Sequence, residues 1–182
     1  QETIRTALAM GADRGVLLKT DSASIDPLPV AKALADDLRV EEYDVVLFGK
    51  LAIDDYSHAT GPMVAELLGI PCVSAVAKLE IADGKGTAER EIEGGVEVVE
   101  FSLPAVVTAE KGLNEPRYPA LRGIMMAKKK PLETKDVAIP EGGLEVVELA
   151  LPPERQEGRI VGEGADAVPA LIDALRNEAK VL

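Results

Sequence analysis

Helix and strand patterns alternate from the start of the chain to Gly69, and that rhythm limits the fold more than any other feature. Ile4, Leu8 and the neighbouring alanines form one helical stripe, with Gly11 past its end. Val16-Leu17-Leu18 reads as a short buried strand. Asp26-Pro27 carries the signals of a second helix start, a side-chain cap followed by proline in the first turn. Val30, Ala33 and Leu34 mark its expected inner face. Tyr43 to Gly49 reads as a second buried strand. Gly61-Pro62 opens a third helix through Met63, Val64, Leu67 and Leu68, stopped by Gly69 and Pro71. Such alternation belongs to parallel sheets covered by helices.

After Pro71 the pattern changes. Val73 to Ile81, Ala88 to Ile92 and Val96 to Phe101 alternate in the manner of antiparallel strands. The breaks between them are Asp83-Gly84-Lys85-Gly86 and Glu93-Gly94-Gly95. Pro104 to Thr108 is a further apolar strand, and Ile124 to Lys130 a short helix. From Pro131 to Ala165 the chain is rich in Pro, Gly and Glu without periodicity, which predicts an extended arm ordered only by lying on something else. Asp166 to Lys180 closes the chain as an amphipathic helix bearing Val168, Leu171, Ile172 and Leu175. Gln1 is not a start methionine, and the chain reads as beginning partway through a fold.

Composition narrows the function. The net charge of -12 argues against nucleic acid as the main partner, because phosphate would be repelled. No uncharged apolar run is long enough to span a membrane, so no membrane insertion is expected. The lone Cys72 has no internal disulfide partner and suits a reducing compartment. His58 is the single histidine, so neither a Cys–His nucleophile pair nor a clustered metal site is credible, and no catalytic residue is expected.

Two segments stand out against this background. Gly49, Lys50, Leu51, Ala52, Ile53, Asp54, Asp55, Tyr56, Ser57, His58, Ala59 and Thr60 run from a strand end to a helix start. Ligands bind at the carboxyl ends of parallel strands, and a helix N-terminus offers N–H groups and partial positive charge to an anion. Lys50 adds a cation, and Ser57 and Thr60 add hydroxyls. Asp54 and Asp55 could take ribose hydroxyls or an adenine amino group, or simply cap the loop. The second segment, LNEPRYPALRGIMMAKKKP from Leu113 to Pro131, holds two prolines that forbid a regular helix before Gly123. Leu113, Tyr118 and Leu121 are too apolar for an idle loop, and an ordered leucine beside cations fits a docking surface. The same pattern is met by a connection whose Leu121 folds back onto the core. The strand-end loop also fits a stand-alone adenine-nucleotide sensor of the stress-protein type, which would need no arm.

LNEPRYPALRGIMMAKKKP resembles the signature region of the electron transfer flavoprotein beta subunit. GKLAIDDYSHATGPMVAELLG, Gly49 to Gly69, is similar to that family's nucleotide segment, and EREIEGG and LPAVVTAEKGLNEPRY fit it in order and spacing. The resemblance implies an α/β, parallel-sheet, adenine-nucleotide-binding (Rossmann-like) fold with an antiparallel hairpin insertion and an extended C-terminal arm plus helix. It implies a nucleotide-binding-like domain over residues 1–130, lacking its N-terminal part, and an arm and helix over 131–182 that pack on an alpha subunit. It further implies a heterodimer whose FAD is held mainly by the alpha subunit, and an AMP, without redox role, held by the beta subunit at Gly49 to Thr60. In electron-bifurcating members a second FAD takes the AMP's place. The implied partners are an acyl-CoA dehydrogenase or related flavoenzyme as donor and a membrane quinone oxidoreductase as acceptor. Leu121 falls on the family's recognition-loop leucine, Lys129 on its lysine run, and Glu91 on a carboxylate that contacts the alpha subunit's FAD domain. The chain departs from the pattern at Leu51, where family members commonly carry glutamine, and at His58-Ala59, where they carry Asn-Gln or Ala-Gln. The expected location is a prokaryotic cytoplasm, or the mitochondrial matrix in a eukaryote.

Overall fold

The computed structural model describes residues 1–21, 26–140, 143–154 and 157–182. The chain divides into two compact units, Gln1–Glu145 and Val146–Leu182. The first is a mixed α/β body. It contains α1 (Glu2–Met10), β1 (Gly15–Lys19), α2 (Pro27–Leu38), β2 (Val45–Gly49), α3 (Thr60–Leu68), β3 (Cys72–Ala82), β4 (Lys85–Ile92), β5 (Gly95–Ser102), β6 (Ala105–Ala109), α4 (Leu121–Ala127) and β7 (Leu132–Asp136).

Local chemistry accounts for the helix ends. Gly11 closes α1 at φ 132° and Gly69 closes α3 in the left-handed region, conformations that a Cβ disfavours. Asp26 accepts the Leu28 N–H and so caps α2, and the same carboxylate accepts the Gly143 N–H at 2.7 Å.

Five strands form one mixed sheet in the order β2-β6-β3-β4-β5. β2, β6 and β3 run parallel, and β3, β4 and β5 form an antiparallel meander with tight turns at Asp83-Gly84 and Gly94. Alternation sorts the side chains. One face carries Val73, Val76, Ala88, Phe101, Ala105 and Val107, with Val45, Leu103 and Leu113 packed around them. Gly86 lies opposite Phe101, and a Cβ there would fall within 2.2–2.7 Å of the ring. On the helical side, Ala31, Ala35 and Val64 form a second core between α2 and α3, flanked by Phe48, Leu34 and Leu38. The deepest residues of α2 are therefore Ala31 and Ala35 rather than Val30 and Ala33, which are half-buried. β2 is not fully buried either. Among the described residues it is an edge strand paired with β6, and Leu47 is 62% exposed.

The arm expected from Pro131 begins with a strand. β7 pairs in parallel with β1, from Gly15↔Leu132 to Lys19↔Asp136. Gly15 N–H donates to Pro131 O and Val137 N–H to Lys19 O, and Lys135 pairs with Asp37 of α2 at 2.6 Å. The strand is mostly polar, LETKD, so it lacks the apolar alternation that marks strands in a sequence. Residues beyond it through Glu145 belong to the first unit. Positions 141–142 and 155–156 of the expected arm lie outside the described residues.

In the second unit, residues 146–154 and 157–164 form no helix or strand. Ala165–Ala167 makes one turn of 3-10 helix, followed by α5 (Val168–Asp173) and a π-helical turn, Ala174–Glu178. Arg159 pairs with Glu178. No residue of these helical turns is buried, and Val147, Leu149, Leu151 and Ile160 are exposed.

Candidate functional site

The loop that follows β2 is built around the ends of three strands. Gly49 and Ala109 are register partners at the carboxyl ends of β2 and β6, so Lys50 and Glu110 emerge side by side. Lys50 N–H donates to Ala109 O, and Glu110 N–H donates to Val76 O of β3. The register of β3 against β6 shifts between Val73 and Val76, where Ala75 sits at φ 57°. The buried Thr108 hydroxyl oxygen accepts the Ala75 N–H at 2.9 Å and so satisfies that irregularity.

Lys50 and Glu110 form an ion pair with largely covered side chains. The hydrogen bond from Lys50, reinforced by the Lys111 N–H, holds the Glu110 carboxyl below the usual carboxylate range. The same bond raises Lys50, and the charge of Glu91 on β4 adds to the effect. Glu91 thus lies within electrostatic reach of the loop.

The loop turns back on itself. Tyr56 N–H donates to Ala52 O, and the Asp55 carboxylate accepts the Ser57 N–H at 3.1 Å. Tyr56 and His58 hold φ near +55° without being glycine, and their rings meet edge to face with centroids 5.4 Å apart. Such conformations cost of order 1–3 kcal/mol each and cluster at functional sites. Thr60 then starts α3 with no side chain capping it at Ala59, which leaves its first N–H groups for a ligand. Gly61 lets the helix approach β6, since a Cβ there would meet Thr108 Cγ2 at 2.7 Å.

These elements enclose a cavity of about 240 Å³ lined by Phe48, Gly49, Lys50, Leu51, Ala52, Asp55, Ser57, His58, Ala59, Thr60 and Gly61. Of the loop residues singled out in the sequence, Ile53, Asp54 and Tyr56 do not line it, and Ile53 is 91% exposed. Glu110 was missed. The signal for it is positional: it follows a buried strand as Lys50 follows β2.

The second segment stands on α1. Leu113 packs against the sheet core, whereas Tyr118 is 97% exposed and Leu121 75% exposed. Leu121 does not fold back. α4 begins at Leu121, earlier than the sequence suggests, because Ala120 takes the extended cap position and leaves Pro119 outside the helix. Arg5 of α1 donates to Ala127 O at 2.6 Å and to Lys130 O at 2.9 Å. Lys130 reciprocates, donating to Leu8 O at 3.0 Å and to Ala12 O at 2.6 Å, and Arg117 reaches Met10 O. Each helix C-terminus is therefore capped by a cation from the other's segment. Gly123 permits the contact, because a Cβ there would lie 2.3 Å from Ala9 O. Of the lysine run, Lys130 is structural, and Lys128 and Lys129 are exposed.

Fold and loop together define a mixed α/β protein with a strand-end cavity and an exposed leucine at the start of α4. Among the described residues no cluster of three or more Asp, Glu, His or Cys side chains is placed to hold a metal ion, and no helix is long and apolar enough to cross a membrane. Residues 1–140 match the electron transfer flavoprotein domain family. The electron transfer flavoprotein subunit beta of Bacillus subtilis (strain 168) is 43% identical over all of this chain and 75% of its own length. That of Syntrophomonas wolfei is 44% identical over 99% of this chain and 71% of its own. The subunit of the same name from Sus scrofa is 44% identical over 94% of this chain and 70% of its own. Similar subunits from Arabidopsis thaliana and rice are named as mitochondrial. The chain belongs to the electron transfer flavoprotein beta-subunit family, a family of flavoprotein components that serve in electron transfer.

Proposed function

We propose that the chain is the half of a heterodimer that scaffolds an FAD-holding alpha subunit, retains AMP and docks the electron donor, without bond-making chemistry of its own. The observation that carries the nucleotide assignment is the cavity at the ends of β2 and β6, with an uncapped helix N-terminus among its walls. The donor set fits AMP. First-turn N–H groups of α3 and the hydroxyls of Ser57 and Thr60 would take phosphate, and Asp55 a ribose hydroxyl. Lys50 is held by Glu110, so its role is to fix the loop and moderate the local charge. Backbone groups carry most of this work, so the replacements at His58 and Ala59 remain compatible with it.

FAD, when bound by the complex, supplies the electron-accepting group. This chain's part is positional. Leu121 enters an apolar pocket of an acyl-CoA dehydrogenase or similar flavoenzyme, Lys129 borders the contact, and Glu91 faces the alpha subunit's FAD domain. The exposed apolar residues at Val147, Leu149 and Leu151 support an arm that lies on the alpha subunit. Electrons pass on to a membrane quinone oxidoreductase, and the setting is a prokaryotic cytoplasm. Denaturing the purified complex and identifying the released nucleotides tests the cavity assignment. AMP equimolar with this chain supports it, and FAD in twofold amount without AMP overturns it.

A further inference from the structure

Beside Leu121, the packing of α1 against α4 leaves a groove of about 420 Å³ lined by Arg5, Thr6, Ala9, Pro119, Ile124, Ala127 and Lys128. Its walls are fixed before any partner arrives, because Arg5 and Lys130 cap the opposite helix and Gly123 abuts Ala9 O. Ile124, 44% exposed, stands one turn from Leu121 on α4, and Lys128 one further turn on. A partner that receives Leu121 therefore also covers this groove.

Charge says what kind of surface that is. The chain as a whole carries -12, yet Leu113 to Pro131 contains Arg117, Arg122, Lys128, Lys129 and Lys130 against the single acid Glu115. Arg5 adds a cation on α1, partly offset by Glu2. An apolar depression with Arg5 and Lys128 in its lining, in a cation-rich segment of an otherwise acidic molecule, is complementary to an acidic face that projects a large apolar side chain.

We propose that docking is two-way. Leu121 enters the donor flavoenzyme, and the donor inserts an apolar side chain from an acidic face into the groove between α1 and α4. This rests on the reading of Leu121 as the donor anchor. An anchor seated in a preformed pocket at the centre of a small interface behaves as a hot spot, and such contacts set the affinity of the encounter.

The test uses the intact flavoprotein with its donor dehydrogenase. Thr6→Trp fills the groove. Thr6 is exposed and its hydroxyl reaches only Glu2 O, so the fold survives. Lys128→Glu reverses the rim on an exposed side chain. Each variant is expected to raise the donor's KM for the flavoprotein by roughly tenfold, with kcat, FAD content and flavin potential unchanged. Added salt should raise the wild-type KM and leave Lys128→Glu less affected. If Thr6→Trp leaves KM unchanged while Leu121→Ala raises it, the groove is empty in the complex and the proposal fails, though the anchor stands. If neither variant raises KM, both fail. A change in sedimentation on Thr6→Trp without a change in KM would assign the groove to a second copy and also overturn the proposal.

Discussion

Replacing Leu121 with alanine probes the docking account where it is most quantitative. The side chain is 75% exposed in the free chain, so about three-quarters of its surface is still available to bury in a partner. Complete burial of a leucine is worth roughly 1.5–3 kcal/mol, and the share left to a partner is about 1–2 kcal/mol. At about 1.4 kcal/mol per tenfold, the donor's KM for the variant flavoprotein rises roughly 5- to 30-fold. The fold should not notice, since the residue contributes little to either core. The assay is steady-state reduction of the flavoprotein by its donor at several flavoprotein concentrations. Thermal melting and bound FAD are measured on the same samples. Unchanged KM with unchanged melting would mean that Leu121 is exposed for some other reason. A raised KM accompanied by lost FAD would mean that the residue serves subunit assembly instead.

Gly123→Ala pushes a methyl group against Ala9 O and separates α1 from α4. Overpacking of this kind costs about 1–3 kcal/mol, only partly offset by the better helix propensity of alanine, so denaturant midpoints should fall. An unchanged midpoint would show that the two helices are looser than described. Glu110→Gln removes the partner of Lys50. Because Glu110 is depressed in the folded chain, its contribution is present above the ordinary value of 4.5 and is lost as pH falls through the lower folded value. Lys50 is raised, so its contribution persists until pH climbs above 10.5 and through the folded value. The melting difference between wild type and Glu110→Gln should therefore be present at neutral pH and vanish in acid. A difference that persists in acid would separate the effect from the ion pair.

Much of the fold can be read in the sequence because its signals are local. Gly11, Asp26 and Gly69 punctuate three helices within a few residues of their ends. Asp83-Gly84 and Gly94 do the same for the meander. β7 escapes such a reading because four of its five residues are polar and its order comes from pairing with β1, far away in the chain. The bulge at Ala75 is equally silent, being stabilised by Thr108 on another strand. The candidate loop is legible because a strand end, a cation, hydroxyls and a helix start follow one another between Gly49 and Thr60. Glu110 and the exchange of caps between Arg5 and Lys130 are not, because they depend on residues 60 or more positions apart. The exposure of Leu121 could not be decided from composition. It is settled by α4, which starts at that residue and turns Ala127 inward.

Whether this chain works as half of a flavin-bearing pair is tested by purifying it through a tag from cells that also make its candidate alpha partner, then measuring visible flavin absorbance per protomer. The account predicts a yellow complex of two different chains with a single FAD. A colourless protein that elutes alone, with no flavin and no second chain, would contradict it.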